Sequence, residues 1–349
     1  CSEMSTYIQQ NFTLEIFGNS LCKFHPASFD EMIKLLKEDE KEKNLLSINE
    51  ILDPDANRQG KLSYVDNDRK DSFQPIIDFP NFLLIVLKIT QMGKTDFDPL
   101  GFQLDDKELL NEFKKAEMGA SDIKMFAYNL LKARFLLDNY IVHHSKEDDT
   151  MDSNPWKLQV WYKNDETKKG MLRNLCDNNF QDYLVQILSM FEVSFTARQR
   201  KNYLFYTLMY LMEQDEVDCK EYADFVERLA ERYFSEVYLD STKLNEINTP
   251  LPGSFDEVVL CNGKLNMAVP KKRDAAVFTD IYGDGSVRTK GIPLYIFNYL
   301  DLKIWMLYAC EMRNGKFKEE YVEQEKNNVK RRIEGKIDNK AKYAIERCL

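Results

Sequence analysis

Histidine is almost absent from this chain: three in 349 residues, His25, His143 and His144, with none after position 144. General-base and imidazole–metal chemistry therefore have very few places to sit. The 13 glycines are dispersed; neither G-x-x-x-x-G-K-[ST] nor G-x-G-x-x-G nor G-x-S-x-G occurs, which excludes the common phosphate-cradling and nucleophile turns. No window of about 18 apolar residues exists, because even "FPNFLLIVLKI" stops at Lys88, so a helical membrane span is excluded. The N-terminus lacks a basic stretch followed by an apolar one, as a secretory signal would require. The seven cysteines are odd in number, scattered and never spaced C-x-x-C; neither a disulfide framework nor a zinc site is expected, and a reducing cytoplasm is the natural compartment. Cys1 stands where Met would begin a gene product, which reads as a fragment or a processed chain.

What is present is a hydrophobic fraction of 44%, enough for a sizeable core, and a net charge of -10. That balance argues against coating nucleic acid with the whole surface, since such affinity comes from Lys and Arg neutralising phosphates. Residues 316–349 depart from it, with ten Lys/Arg against seven Asp/Glu. The expected fold class is mainly α, a multi-helix body with a small β-hairpin insertion near residues 255–290. Three regions follow: a mixed, loop-rich 1–73, a helical body 74–248, and 249–349 with the insertion and C-terminal helices.

Helical periodicity dominates from about residue 74 to 240. Phe79 to Ile89 is apolar on every side with Asp78 as N-cap, which predicts a buried central helix. Helices are also predicted over 105–115, from a Ser121 cap through Ile141, over Phe180–Phe191, over Arg198–Met212 and over Tyr222–Val237. In the second of these, Ile123, Phe126, Ala127, Leu130, Leu131, Arg134, Leu137 and Ile141 share a face expected to be mostly core. Ser28 is expected to cap "FDEMIKLLKE". After the break "TPLPGSF", Asn262-Gly263 predicts a tight hairpin within "VVLCNGKLNMAV", and "VFTDIYGDGSVRT" is a second hairpin candidate.

Few polar constellations rise above ordinary surface. "DPDANRQGKLSY" places Asp53, Asp55 and Asn57 as an EF-hand would, yet Arg58 replaces the turn glycine and Tyr64 the bidentate Glu, so metal binding is not expected there. His143 and His144 follow a helix end, where a capping role outweighs a ligand or base role. The best functional candidates are Lys271, Lys272, Arg273, Arg288 and Lys290, cations flanking the second hairpin on an otherwise acidic chain and able to grip DNA phosphates; the competing reading is a soluble basic loop. In the charged tail "NNVKRRIEGKIDNKAKYAIER", Val329, Ile333 and Ile337 form a thin apolar stripe, fit to dock on a partner or on the body.

Five segments, "IIDFPNFLLIVLKI", "LDDKELLNEF", "MFAYNLLKARFLLDNYIV", "NFQDYLVQILSMFEVSF" and "IFNYLDLKIW", resemble, in that order, the helical region of the GmrSD-like restriction endonucleases. The resemblance covers about residues 75–305. It implies an NTP-dependent system that restricts phage DNA carrying modified cytosines, with a ParB-like N-terminal domain marked by D-G-Q-Q-R and an HNH-type nuclease domain marked by Ser-Val-Glu-His-x-x-Pro. This chain contains neither motif. No catalytic, cofactor or metal-binding residue carries over; NTP and a divalent metal are implied only for the ParB-like and nuclease regions, which would be this chain's partners together with DNA. The expectation is a scaffold and target-sensing part of such a protein, cytoplasmic and without a membrane segment. The rival expectation is a helical protein-interaction module that never touches nucleic acid.

Overall fold

A computed structural model describes residues 24–42, 73–74, 76–145, 155–163, 170–195, 201–283 and 291–313. It is mainly helical, with a few short antiparallel strand pairings. The chain divides into two compact units: residues 1–91, 105–177 and 208–217 form one, and 92–104, 178–207 and 218–349 the other.

In the first unit, α1 (Phe29–Glu42) starts where Ser28 Oγ accepts the Glu31 amide at 3.2 Å, the expected cap. The buried helix α2 (Phe79–Gln91) is capped by Asp78, whose Oδ1 accepts the Asn81 amide at 3.0 Å. Phe82 and Leu84 to Leu87 are buried on all its sides, and Lys88 is carried inward with them. A 3-10 turn over Asp106–Glu108 leads into α3 (Leu109–Lys115), where acids precede lysines and Lys115 pairs with Glu112 at 2.8 Å.

Helix α4 (Ala120–Tyr140) begins one residue earlier than its predicted cap. The capping contact is made by Asp122, whose carboxylate accepts the Gly119 amide at 3.1 Å, and Ser121 lies inside the first turn. The predicted core face is also corrected. Ile123 is exposed, while Leu137 and Ile141 of that face are buried together with Ala133, Phe135, Leu136 and Tyr140 in the second half. Ile123 in the first turn is left uncovered, whereas Phe126 meets Phe113 edge-on at 5.5 Å, so periodicity alone does not tell which aligned residues are covered.

The region after α4 departs from helix. Strands β1 (Phe73–Gln74), β2 (His143–Ser145) and β3 (Trp156–Lys157) form a three-stranded antiparallel sheet, and β4 (Gln159–Lys163) pairs with β5 (Gly170–Asn174). "QVWYK" is rich in the aromatic and β-branched types that suit a pleated surface, a signal that reading for helical periodicity passes over.

The second unit is built on α5 (Asn178–Ser194), the first half of α6 (Asn202–Glu213), α7 (Cys219–Arg232) and α10 (Leu294–Arg313). Asp218 caps α7 by accepting the Lys220 and Glu221 amides at 2.9 Å. Every residue of the predicted stripe Tyr222, Phe225, Val226, Leu229, Tyr233 and Val237 is buried. Beyond Arg232 the helix widens into a π-turn over Tyr233–Tyr238, closed by the Leu239 amide donating to Phe234 O at 3.0 Å.

That wide turn swings tyrosines into an aromatic centre. Phe191 stacks on Tyr203 with ring centroids 4.8 Å apart and meets Tyr233 edge-on at 5.6 Å; Tyr238 stacks on Tyr295 at 4.7 Å. Three of the buried tyrosines keep their hydroxyls satisfied: Tyr206 donates to Asp256 at 2.8 Å, Tyr295 to Ala230 O at 2.9 Å and Tyr282 to Tyr238 O at 2.7 Å.

Asn262 and Gly263, at φ 50° and 74°, make the predicted tight turn between β6 (Leu260–Cys261) and β7 (Lys264–Leu265). The hairpin is shorter than expected, because "SFDEVV" forms α8 (Ser254–Val259). The second hairpin is corrected: Ala275–Tyr282 is helix α9, started by Asp274 accepting the Ala276 amide at 2.9 Å. An Asp cap followed by Ala-Ala outweighs the β propensity of Val277 and Phe278. Cys176 and Cys219 are each disulfide-bonded, which corrects the reading of uniformly reduced thiols.

Phe191 is fully buried and meets four other rings, so Phe191→Ala is expected to cost about 3–5 kcal/mol of unfolding free energy, read from the shift of a urea transition.

Candidate functional site

The basic stretch lies in the segment between β7 and α9, and this segment is tied down at several points. The Asn266 amide donates to Val259 O at 2.7 Å, and the buried Arg232 at the end of α7 donates to Asn266 O while pairing with Glu236 at 2.8 Å. Further along, the Lys271 amide donates to Glu236 at 3.4 Å. Arg273 is consumed by the body: its Nε donates to Ser235 O at 3.0 Å and its Nη2 meets Asp240 at 3.3 Å. Burial pushes the Asp240 carboxyl up, but hydrogen bonds from Thr242 and the Arg273 charge outweigh it and hold the group below its usual range.

Lys271 and Lys272 are exposed, as is the apolar Val269 two residues before them. The five predicted cations thus separate: Lys271 and Lys272 face solvent, Arg273 is an internal brace, and Arg288 and Lys290 lie outside the described residues. So does the EF-hand-like stretch from Asp53 to Tyr64. Arg273 could not be told from its neighbours in the sequence, because its acceptors, Ser235 and Asp240, come from the far side of the hairpin.

The histidines behave as structural groups. His143 Nε2 lies 3.2 Å from Asp138 O at the end of α4; a carbonyl only accepts, so this nitrogen carries the proton and caps the helix. Burial lowers the His143 pKa, so the cap is the neutral imidazole and not the cation that a helix dipole prefers. Its contribution to stability is present above the ordinary histidine pKa and is lost as pH falls below it. His144 packs edge-on against Trp156 at 5.1 Å. His25 is exposed.

Two polar clusters in the second unit were not visible in the sequence. Lys303 on α10 reaches Glu227 at 2.9 Å and Glu231 at 3.2 Å on α7, and Glu227 also accepts the Tyr183 hydroxyl. The other is deeper: Glu192, near the end of α5, is buried and accepts from both Lys201 and the Tyr203 hydroxyl. Burial dominates the Glu192 carboxyl and, against the pull of Lys201, pushes its pKa up to about 7. Glu192 sits directly after Phe191 on an apolar helix, and no spacing rule flags it. Among the described residues no group of three or more His, Cys, Asp and Glu is arranged to hold a metal ion, and no helix is long and apolar enough to cross a membrane.

No family model matches the chain, no curated protein matches it, and no solved structure matches it.

The raised Glu192 pKa fixes a direction of pH dependence. Its folded value lies above the unfolded one, so the stabilisation is complete below about pH 4.5 and is lost as pH rises through about 7. Relative to Glu192→Gln, the wild-type chain should lose about 1–3 kcal/mol of stability between pH 5 and 8, measured by urea unfolding at both pH values.

Proposed function

We propose that the chain is the helical scaffold and target-sensing part of a GmrSD-like, NTP-dependent DNA restriction protein, with no complete catalytic site in these residues. The observation that carries this reading is how the five resembling segments meet one another. In the first unit, α2 packs on both α3 and α4, and Asn129 donates to Thr90 at 3.0 Å. In the second, α10 lies along α5, where Asn298 donates to Ser194 at 3.0 Å and Tyr295 tilts over Phe191 and Phe195. The segments that carry the resemblance are therefore the mutual packing partners at the centre of each unit. Their polar residues serve that packing, as a scaffold requires.

On this reading, NTP and a divalent metal belong to ParB-like and nuclease regions that work with this chain, and the assembly acts in a bacterial cytoplasm. Disulfide bonding at Cys176 and Cys219 is uncommon in that compartment. The rival, a helical protein-interaction module, gains from one observation: Arg273 is spent on Asp240, with Glu236 beside the same stretch, so the basic run is partly neutralised from within.

Two experiments separate these readings. Expressed with its flanking reading frames, the gene should lower the plating of a phage whose cytosines are modified by orders of magnitude relative to one with ordinary cytosines; equal plating would overturn the restriction reading. Lys271→Glu/Lys272→Glu should weaken retention on duplex DNA and reduce the log–log salt slope by about 2, at roughly 0.9 per phosphate contact. Unchanged retention and slope would remove this stretch as a DNA contact and favour the protein-interaction module.

A further inference from the structure

Helix α10 is apolar on two opposite faces, and only one of them is used. Tyr295, Ile296, Tyr299, Leu300 and Leu302 point into the second unit and are buried. On the other side Leu294, Phe297 and Ile304 remain 50%, 48% and 45% exposed, with the exposed Asp301 between them. At 100° per residue these four positions fall within one narrow arc, directly opposite the buried set. A helix hydrophobic all round is normally covered on all sides.

The chain itself supplies a segment that fits. The described part of α10 runs to Arg313, and the sequence continues with Asn314-Gly315, residue types that favour the left-handed conformation of a helix C-terminus. Beyond it, Val329, Ile333 and Ile337 recur every fourth residue in an otherwise charged stretch, the spacing of a narrow helical seam. The lengths agree: the stripe from Leu294 to Ile304 is about 15 Å long, and Val329 to Ile337 in a helix about 12 Å. The charges agree as well, since residues 316–349 carry ten Lys/Arg against seven Asp/Glu, the remainder of the chain is net acidic, and the stripe's own polar residue is Asp301. Covalent continuity with α10 also gives this segment a high effective concentration at the stripe.

We propose that residues 316–349 fold back over the outer face of α10, seating Val329, Ile333 and Ile337 on Leu294, Phe297 and Ile304. The inference does not depend on the restriction reading. Trypsin tests it on the full chain, because Lys330, Arg331, Arg332 and Lys336 surround the apolar seam. Phe297→Asp/Ile304→Asp should speed cleavage at these sites about tenfold while digestion of residues 76–283 stays unchanged; equal tail cleavage in variant and wild type overturns the proposal. A photo-crosslinking benzoylphenylalanine at position 297 gives an independent readout. Cross-links within one chain to peptides of 316–349 support the proposal. Cross-links joining two chains, which would make a second copy the occupant, or cross-links lacking tail peptides, overturn it.

Discussion

A tyrosine buried in a protein core brings a hydroxyl that must find an acceptor where there is no water, and the second unit is organised around that requirement. Tyr203, Tyr206, Tyr233 and Tyr295 are all fully buried. Each acceptor comes from elsewhere in the fold: Glu192 from the end of α5, Asp256 from α8, and Ala230 O from the last turn of α7. The rings supply apolar area and the hydroxyls fix direction, so the helices can pack in few alternative ways. Desolvation raises the pKa of Tyr206, Tyr233 and Tyr295, which keeps these phenols neutral across the whole biological pH range. The Tyr233 hydroxyl has no acceptor among the described residues; its ring, in contact with Phe191, Phe255 and Tyr295, accounts for its position.

The π-turn at Tyr233–Tyr238 belongs to the same constraint. One extra residue in the turn brings both Tyr233 and Tyr238 inward, and it leaves the Ser235 carbonyl, Glu236 and Asp240 turned toward the stretch that carries Arg273. A local widening made for packing thus also anchors the one basic stretch that sequence singles out. The brace consumes one cation and leaves Lys271 and Lys272 outward, so a fixed loop presents two charges.

Ionisable groups inside the body follow the same physics with opposite signs. Glu192 is held by two donors yet pushed toward the neutral form by burial, while His143 caps α4 as a neutral ring. One favours lower pH and the other higher, so neither acid nor alkaline conditions suit both units equally.

Much of the helical body was legible in the chain. Ser28 and Asp78 each precede a helix and accept its first amides, and the α7 stripe from Tyr222 to Val237 is buried throughout, because caps and a 3.6-residue period are local properties. Asn262-Gly263 likewise fixed its turn, since few residue pairs accept two positive φ angles. Tertiary structure alone decided the rest. Which of three adjacent cations is spent internally depends on Ser235 and Asp240 arriving from 33 or more residues away. Whether Val277 and Phe278 join a strand or a helix was decided by the Asp274 cap. Ile123 and Leu137 share a predicted face yet differ in burial, because a helix shows which residues align, and only its neighbours determine which of them are covered.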